Sequence, residues 1–333
     1  MRRLLLLAAV VGLSSCSSTA TQDQARLEEY YARSLRYYDA GDLARAEQQA
    51  RMGLAIEPDD GRLNHLLGRT LLRWHDLRSV GRSRGFLEKA HEELDTYKTA
   101  YSLAEFHLRY AQFLIGETEV LTERAAELDP EEVVAGDFDS RIQNQRLKSA
   151  EHLVEAHGLL ERTLAEATDD VFALRLMANV QTHQGQDRAA LATLDRLVQV
   201  LVDSRQFKNK RLARFELPVA EETVLRRDLM DDIDMEVEAR GLSSTVLKRL
   251  RDFPAAAEQI DQVLKLKPEL AHEYYNRGMC RYWSGNLVAA ASDMEIFLRK
   301  TTREQESPEV AQALEILNEN ASRSGRSPNS PAR

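Results

Sequence analysis

The sequence predicts an all-α fold, and three observations carry that expectation. Glycine and proline are scarce, 15 and 8 in 333 residues, while the chain is dense in Ala, Leu, Glu and Arg, which favour helix. Apolar residues recur at spacings of three and four almost throughout, with no period-two run bounded by hairpin turns. A sequence pattern also returns: GDLARAEQQARMGLAIEPDD at 41–60 and RDFPAAAEQIDQVLKLKPEL at 251–270. Both run from a turn into a helix, with a small residue (Ala46, Ala256), then a leucine (Leu54, Leu264), then a proline (Pro58, Pro268) at matching places.

The N-terminus stands apart from this pattern. Residues 1–15, MRRLLLLAAVVGLSS, join Arg2 and Arg3 to an unbroken apolar core from Leu4 to Val11. That is the form of a secretory signal peptide, and it is shorter than the roughly 20 apolar residues a membrane-spanning helix needs. Leu13, Ser14, Ser15 and Cys16 resemble the lipobox of bacterial lipoproteins. The resemblance implies cleavage before Cys16, attachment of fatty acyl chains such as palmitate there, and a short tether over 16–26. Each buried methylene adds about 0.8 kcal/mol, so several chains hold firmly where one does not. Ser17 in place of Asp behind the cysteine implies the periplasmic face of the outer membrane.

The pattern at 41–60 and 251–270 resembles the second half of a tetratricopeptide repeat (TPR). That family stacks helix-turn-helix units of about 34 residues, with small residues at the eighth, twentieth and twenty-seventh positions and proline at the thirty-second. The first unit spans 27–60, with Tyr30, Ser34, Tyr37, Gly41, Ala46, Gly53 and Pro58 at framework positions. The second starts at Gly61 with Leu67 and Gly68; its turn glycine is read as Gly85, so an insertion near 75–85 separates its helices, and the second helix resumes with Ala90 and Leu94. Residues 101–170 read as a long helical hairpin around a loop at 129–139, or as a degenerate repeat. A third unit begins at Val171 (Leu174, Ala178, Gly185, Ala190), followed by an irregular helical segment to 236 with a helix starting after Pro218. The span 237–321 holds two further units and a closing helix. The last unit has Tyr274, Gly278, Gly285, Ala290 and, at a position that prefers a small residue, Phe297. The tail 322–333, rich in Ser, Pro and Arg, reads as disordered. The resemblance implies a right-handed superhelical solenoid with irregular inserted helices in the middle.

Composition narrows the function. Charged residues make up 30% of the chain, hydrophobic ones 43%, and the net charge is −9; losing Arg2 and Arg3 with the leader makes it two units more negative. An acidic chain without a dense basic block argues against nucleic acid as partner. Lys208, Lys210, Arg211 and Arg214 read as a solvated helix face, as does the acidic stretch DDIDMEVE at 231–238. With Cys16 lipidated, Cys280 has no partner for a disulfide. No phosphate loop, G-x-S-x-G elbow or H-E-x-x-H motif is present, so neither enzyme, metal nor cofactor is expected. His152 and His157, five apart, point about 140° away from each other around a helix, which is no metal pair.

Function is therefore expected in a surface. In the TPR family the first helix of each repeat lines a groove through its second, fifth, ninth and twelfth positions. Carried onto this sequence, the resemblance nominates Tyr31, Leu35 and Tyr38; His65, Arg69 and Leu72; Arg175 and Asn179; and His272, Tyr275, Met279 and Tyr282. Arg175 with Asn179 resembles part of a clamp for a peptide carboxylate, with Glu238 and Leu242 where more basic residues are wanted. Anchor and repeats together are similar in plan to pilotin-type lipoproteins of pilus or secretion systems, and to lipoproteins that recruit envelope hydrolases or proteases. They imply a membrane-anchored scaffold for protein or peptide segments of an envelope complex. The alternative is a lipoprotein that binds a small molecule or cation in the irregular middle.

Overall fold

The computed structural model describes residues 2–74, 76–214, 216–302 and 307–323, with side chains from residue 21 onwards except 131, 135 and 214. Among these residues there are helices and no strand. Two compact units divide the chain at residue 168. The first holds α1 (Arg2–Asp39), α2 (Leu43–Leu54), α3 (Gly61–Leu72), α4 (Leu77–Leu94), α5 (Tyr97–Glu127), the short α6 (Pro130–Ala135) and α7 (Phe138–Glu166). The second holds α8 (Val171–His183), α9 (Asp187–Arg214), α10 (Val219–Arg249), α11 (Phe253–Leu266), α12 (Ala271–Trp283), α13 (Leu287–Lys300) and α14 (Pro308–Arg323). No described helix is long and apolar enough to cross a membrane.

Four hairpins close through the same local chemistry. After α1, the Gly41 and Asp42 amides donate to the carbonyls of Tyr38 and Tyr37, and the pairing recurs at Gly185 with Gln186, Arg251 with Asp252, and Gly285 with Asn286. This is the Schellman stop, which needs a left-handed residue. Gly41, Gly185 and Gly285 take it at φ +77°, +71° and +80°. At the equivalent place Arg251 is held at φ 61°, where a Cβ crowds the following carbonyl. Asp42, Asp252 and Asn286 then cap the next helix by accepting the amides of Arg45, Ala255 and Ala289.

Small residues let the paired helices approach. Ser34 is fully buried and donates to the Ala46 carbonyl at 2.8 Å, and a Cβ added at Gly68 would fall 2.6 Å from Leu87. The space between repeats is filled by apolar side chains. Leu27, Ala50, Leu63, Leu67 and Leu71 form one cluster in the first unit. In the second, Phe297 is 1% exposed and packs with Met279, Met294, Val310, Ala313 and Ile316. Its bulk at a small-residue position is accommodated because α14 follows α13 and supplies the wall.

Several expectations need correction. There is no insertion at 75–85: Asp76 caps α4 by accepting the Ser79 amide at 2.9 Å, and the helix runs through Gly85 with Val80 and Leu87 fully buried. The second repeat therefore has standard length. The loop at 129–139 contains α6, started by Pro130. The stretch read as a tether continues the helix of α1, which becomes packed from Leu27 onward. Of the tail, residues 322 and 323 end α14, and 324–333 lie outside the described residues.

Replacing Arg251 by glycine should relieve the left-handed strain. A gain of about 1 kcal/mol is expected, read as a raised denaturation midpoint for Arg251→Gly, with Gly285→Arg shifting it the opposite way.

Candidate protein-binding site

The nominated residues separate into two groups. In the first unit α1 and α3 bring Tyr31, Tyr38, His65 and Arg69 onto neighbouring helices. The Arg62 guanidinium sits 5.1 Å from the Tyr31 ring centre and also reaches Glu28 at 2.8 Å. Arg69 and Arg73 each lie 4.8 Å from the Tyr38 ring centre, and Arg73 donates to the Tyr38 carbonyl at 3.0 Å. Such cation–π contacts fix a flexible guanidinium without neutralising it. Neither Arg69 nor Arg73 has a carboxylate partner among the described residues. Arg73 falls one place beyond the usual groove positions, so the repeat register does not nominate it. Leu35 is partly buried and Leu72 lies in the core, 1% exposed.

His65 is held from within. Ser102 Oγ donates to the Lys98 carbonyl at 3.1 Å, so its lone pair accepts the His65 Nε2–H at 2.8 Å. Burial, with help from the Arg69 charge, pushes the His65 pKa down to about 4. Deeper in the same unit, His107 and His152 meet through their Nδ1 atoms at 2.8 Å, beside the rings of Phe106 and Tyr110. Burial also brings His107 to about 4 and lowers His152. One imidazole donates and the other accepts, so the pair is neutral. His157 instead lies 3.5 Å from Glu161. No group of three potential metal ligands occurs among the described residues.

In the second group, Met279, Tyr275 and Tyr282 are turned towards α14. Met279 is 5% exposed and belongs to the core. Tyr275 and Tyr282 pack beside it and donate to Gln312 at 2.5 Å and Glu319 at 3.1 Å, both on α14. The hydrogen bond to Glu319 holds the Tyr282 pKa above the usual phenol value. The helical spacing was read correctly, but α14 covers that face. His272 stays exposed and stacks on Tyr275 at 5.7 Å. Arg175 already pairs with Glu238 at 3.2 Å, and Asn179 donates to the Arg175 carbonyl, so the carboxylate clamp is filled from within the chain.

The charged middle segments are solvated at Lys210, Arg211, Asp231, Asp234 and Glu238, which are exposed, and paired within the chain at their inner positions. Asp232 takes Lys208 at 2.6 Å, Asp234 takes Lys267 at 2.5 Å, and Glu236, 2% exposed, takes Arg205 at 3.2 Å and Arg240 at 2.9 Å. Arg211 pairs with Glu221. Asp232, Asp234, Glu236 and Glu238 of DDIDMEVE therefore take cations from within the chain.

Residues 246–318 match the sequence profile of the tetratricopeptide repeat family. The chain carries tetratricopeptide repeats. It is similar to solved structures of YrrB, described as a TPR protein with an unusual peptide-binding site (14% identity, 80% of this chain and 97% of that one, TM-score 0.48). PilF of Pseudomonas aeruginosa is also similar (12% identity, 88% of this chain and 98% of that one, TM-score 0.48), as is a thermophilic TPR protein of Thermus thermophilus (12%, 79% and 99%, TM-score 0.43). Comparison with curated proteins finds no match. A TPR fold is a protein–protein interaction scaffold, so surfaces such as the α1–α3 face are where its function is sought.

Two outcomes follow from these placements. Tyr275→Ala with Tyr282→Ala should destabilise the second unit by about 2 kcal/mol, because both rings are partly buried against α14; a thermal melt reads it. For His65 and His107 the folded pKa lies below the free value near 6.5, so the unfolded chain binds more protons between pH 4 and 6.5. Their contribution to stability is complete above pH 6.5 and is lost as pH falls towards 4, by at most about 1.4 kcal/mol per pH unit for each histidine. Urea titrations at successive pH values should show a shallower loss in His65→Gln and His107→Gln than in the parent.

Proposed function

We propose that this protein is a lipid-anchored scaffold of the bacterial cell envelope that receives an acidic segment of a protein partner on the α1–α3 face. The observation that carries the recognition step is the pair of guanidiniums of Arg69 and Arg73 on the Tyr38 ring. They present positive charge in a chain of net charge −9, and the ring positions the forks that a carboxylate accepts bidentately. The leader and the LSSC box ending at Cys16 support the anchor, and Ser17 supports the periplasmic face of the outer membrane. An anchored scaffold of this kind would hold its partner where a pilus, a secretion apparatus or a hydrolase complex assembles.

Affinity capture with the anchor intact, followed by identification of the bound proteins, tests the reading. Arg69→Glu with Arg73→Glu should lower recovery of the main partner at least tenfold while leaving the melting temperature nearly unchanged. An unchanged set of partners would remove the α1–α3 face from the site. The anchor has its own test: Cys16→Ser should abolish palmitate incorporation in metabolic labelling, and label retained on that variant contradicts it.

A second reading, a small-molecule component, is favoured by one feature of the middle. The hairpin tip between α9 and α10 carries an open hollow of about 650 Å³ lined by residues that include Phe207, Lys210, Leu217 and Pro218. Its wall joins apolar side chains to Arg211, Glu216 and Glu221, which suits an organic ligand with polar groups.

A further inference from the structure

We propose that the second repeat holds a socket for an aromatic side chain of a partner, specifically a tyrosine. The fourth position of each repeat carries a large residue, Tyr30, Leu174, Arg240 or Tyr274, except in the second, where it is Asn64. Tyr274 shows what the position ordinarily does. Its ring packs against a cluster that contains Leu264, Arg277 and Lys300 lie 5.5 and 5.8 Å from the ring centre, and its hydroxyl donates to the Pro268 carbonyl at 3.1 Å.

In the second repeat the same carbonyl is satisfied without the ring. Asn64 Nδ2 donates to Pro58, the counterpart of Pro268, at 3.0 Å, and to the Asp60 carbonyl at 3.0 Å. The volume left over is a hollow of about 420 Å³ lined by Leu54, Pro58, Asn64, Gly85, Phe86 and Lys89. Leu54 is the counterpart of Leu264, and Lys89 stands one place earlier in its helix than Lys300. An apolar cavity of about 150 Å³ is enough to take benzene, so a ring fits here.

Two further features point to a phenol rather than to any apolar group. Asn64 is 1% exposed, and with both amide hydrogens used, its Oδ1 is buried and has no partner. An unmet buried acceptor costs stability that a donated O–H restores. Gly85 lies inside α4, where an added Cβ meets nothing within 4 Å. Alanine would suit the helix better, and glycine keeps this wall of the hollow open. The hollow thus offers an apolar slot bordered by Asn64 with its unmet acceptor, and Lys89 at its rim is held by Asp59 at 2.8 Å.

This inference goes beyond the scaffold reading, and its test uses the purified chain alone, so neither the anchor nor the α1–α3 face affects the result. The probe is 4-methylphenol, followed by saturation-transfer NMR. It should bind the parent with a millimolar Kd, about tenfold more tightly than toluene. Asn64→Tyr supplies the missing ring from within, and Gly85→Leu fills the hollow from the open wall; each should weaken binding at least tenfold while helicity is retained. Should one variant fail to fold, the other carries the comparison. Absence of binding to the parent, or equal binding by parent and folded variant, overturns the socket. Equal affinity for toluene overturns the tyrosine assignment.

Discussion

The architecture depends on the near contact of two helices within each hairpin, at places where only a small side chain fits. Ser34 against Ala46 and Gly68 against Leu87 set the spacing, and the larger residues around them fill what that spacing leaves. Because the close approach repeats along the chain, each hairpin presents an apolar side that a neighbour has to cover. Phe297 illustrates the consequence. A bulky ring at a small-residue position is accepted at the end of the second unit, where α14 arrives with Val310, Ala313 and Ile316 rather than with another full hairpin.

Charge is handled mainly by internal pairing. Asp293 is 1% exposed and accepts Arg277 at 2.6 Å and Arg281 at 2.8 Å, while Arg277 also reaches Asp261 at 2.5 Å. Removing one partner from such a buried set leaves a charge without solvent, which costs more than the pair contributes. This arrangement ties α11, α12 and α13 together in a fixed register. Against that background, the guanidiniums on Tyr38 are unusual in being fixed by an aromatic ring, with no carboxylate partner among the described residues.

Much of the repeat architecture was legible because its punctuation is chemical. Gly41, Gly185 and Gly285 mark left-handed stops, and Ala46, Ala190 and Ala290 mark close contacts. The reading failed where that punctuation changed. The second repeat has no glycine at its turn position, so its sequence points to Gly85, although Asp76 followed by Ser79 carries the capping signal. Met279 was assigned to a groove because its helical phase is right, and phase alone does not say that α14 covers the face. The pairing of the acidic stretch at 231–238 is invisible in the sequence because its cations come from distant positions: Arg175, Arg205, Lys208 and Lys267. Asn64 was visible throughout, yet an asparagine gains meaning only when Tyr274 shows what its position usually holds.

The ladder between α9 and α10 gives the second unit a graded interior. Near the base of this hairpin Leu194, Leu197 and Leu201 are buried, whereas further out the contacts are Arg205 with Glu236, Lys208 with Asp232 and Arg211 with Glu221. Water competes for the outer rungs far more readily than for the inner ones. Local opening therefore starts at the outer end and travels inward, so amide hydrogens along these helices exchange in order of their distance from the base. The hairpin behaves as a hinged arm whose reach is limited by the first leucine, and salt, which screens the rungs but not the leucines, sets how far out the arm stays closed.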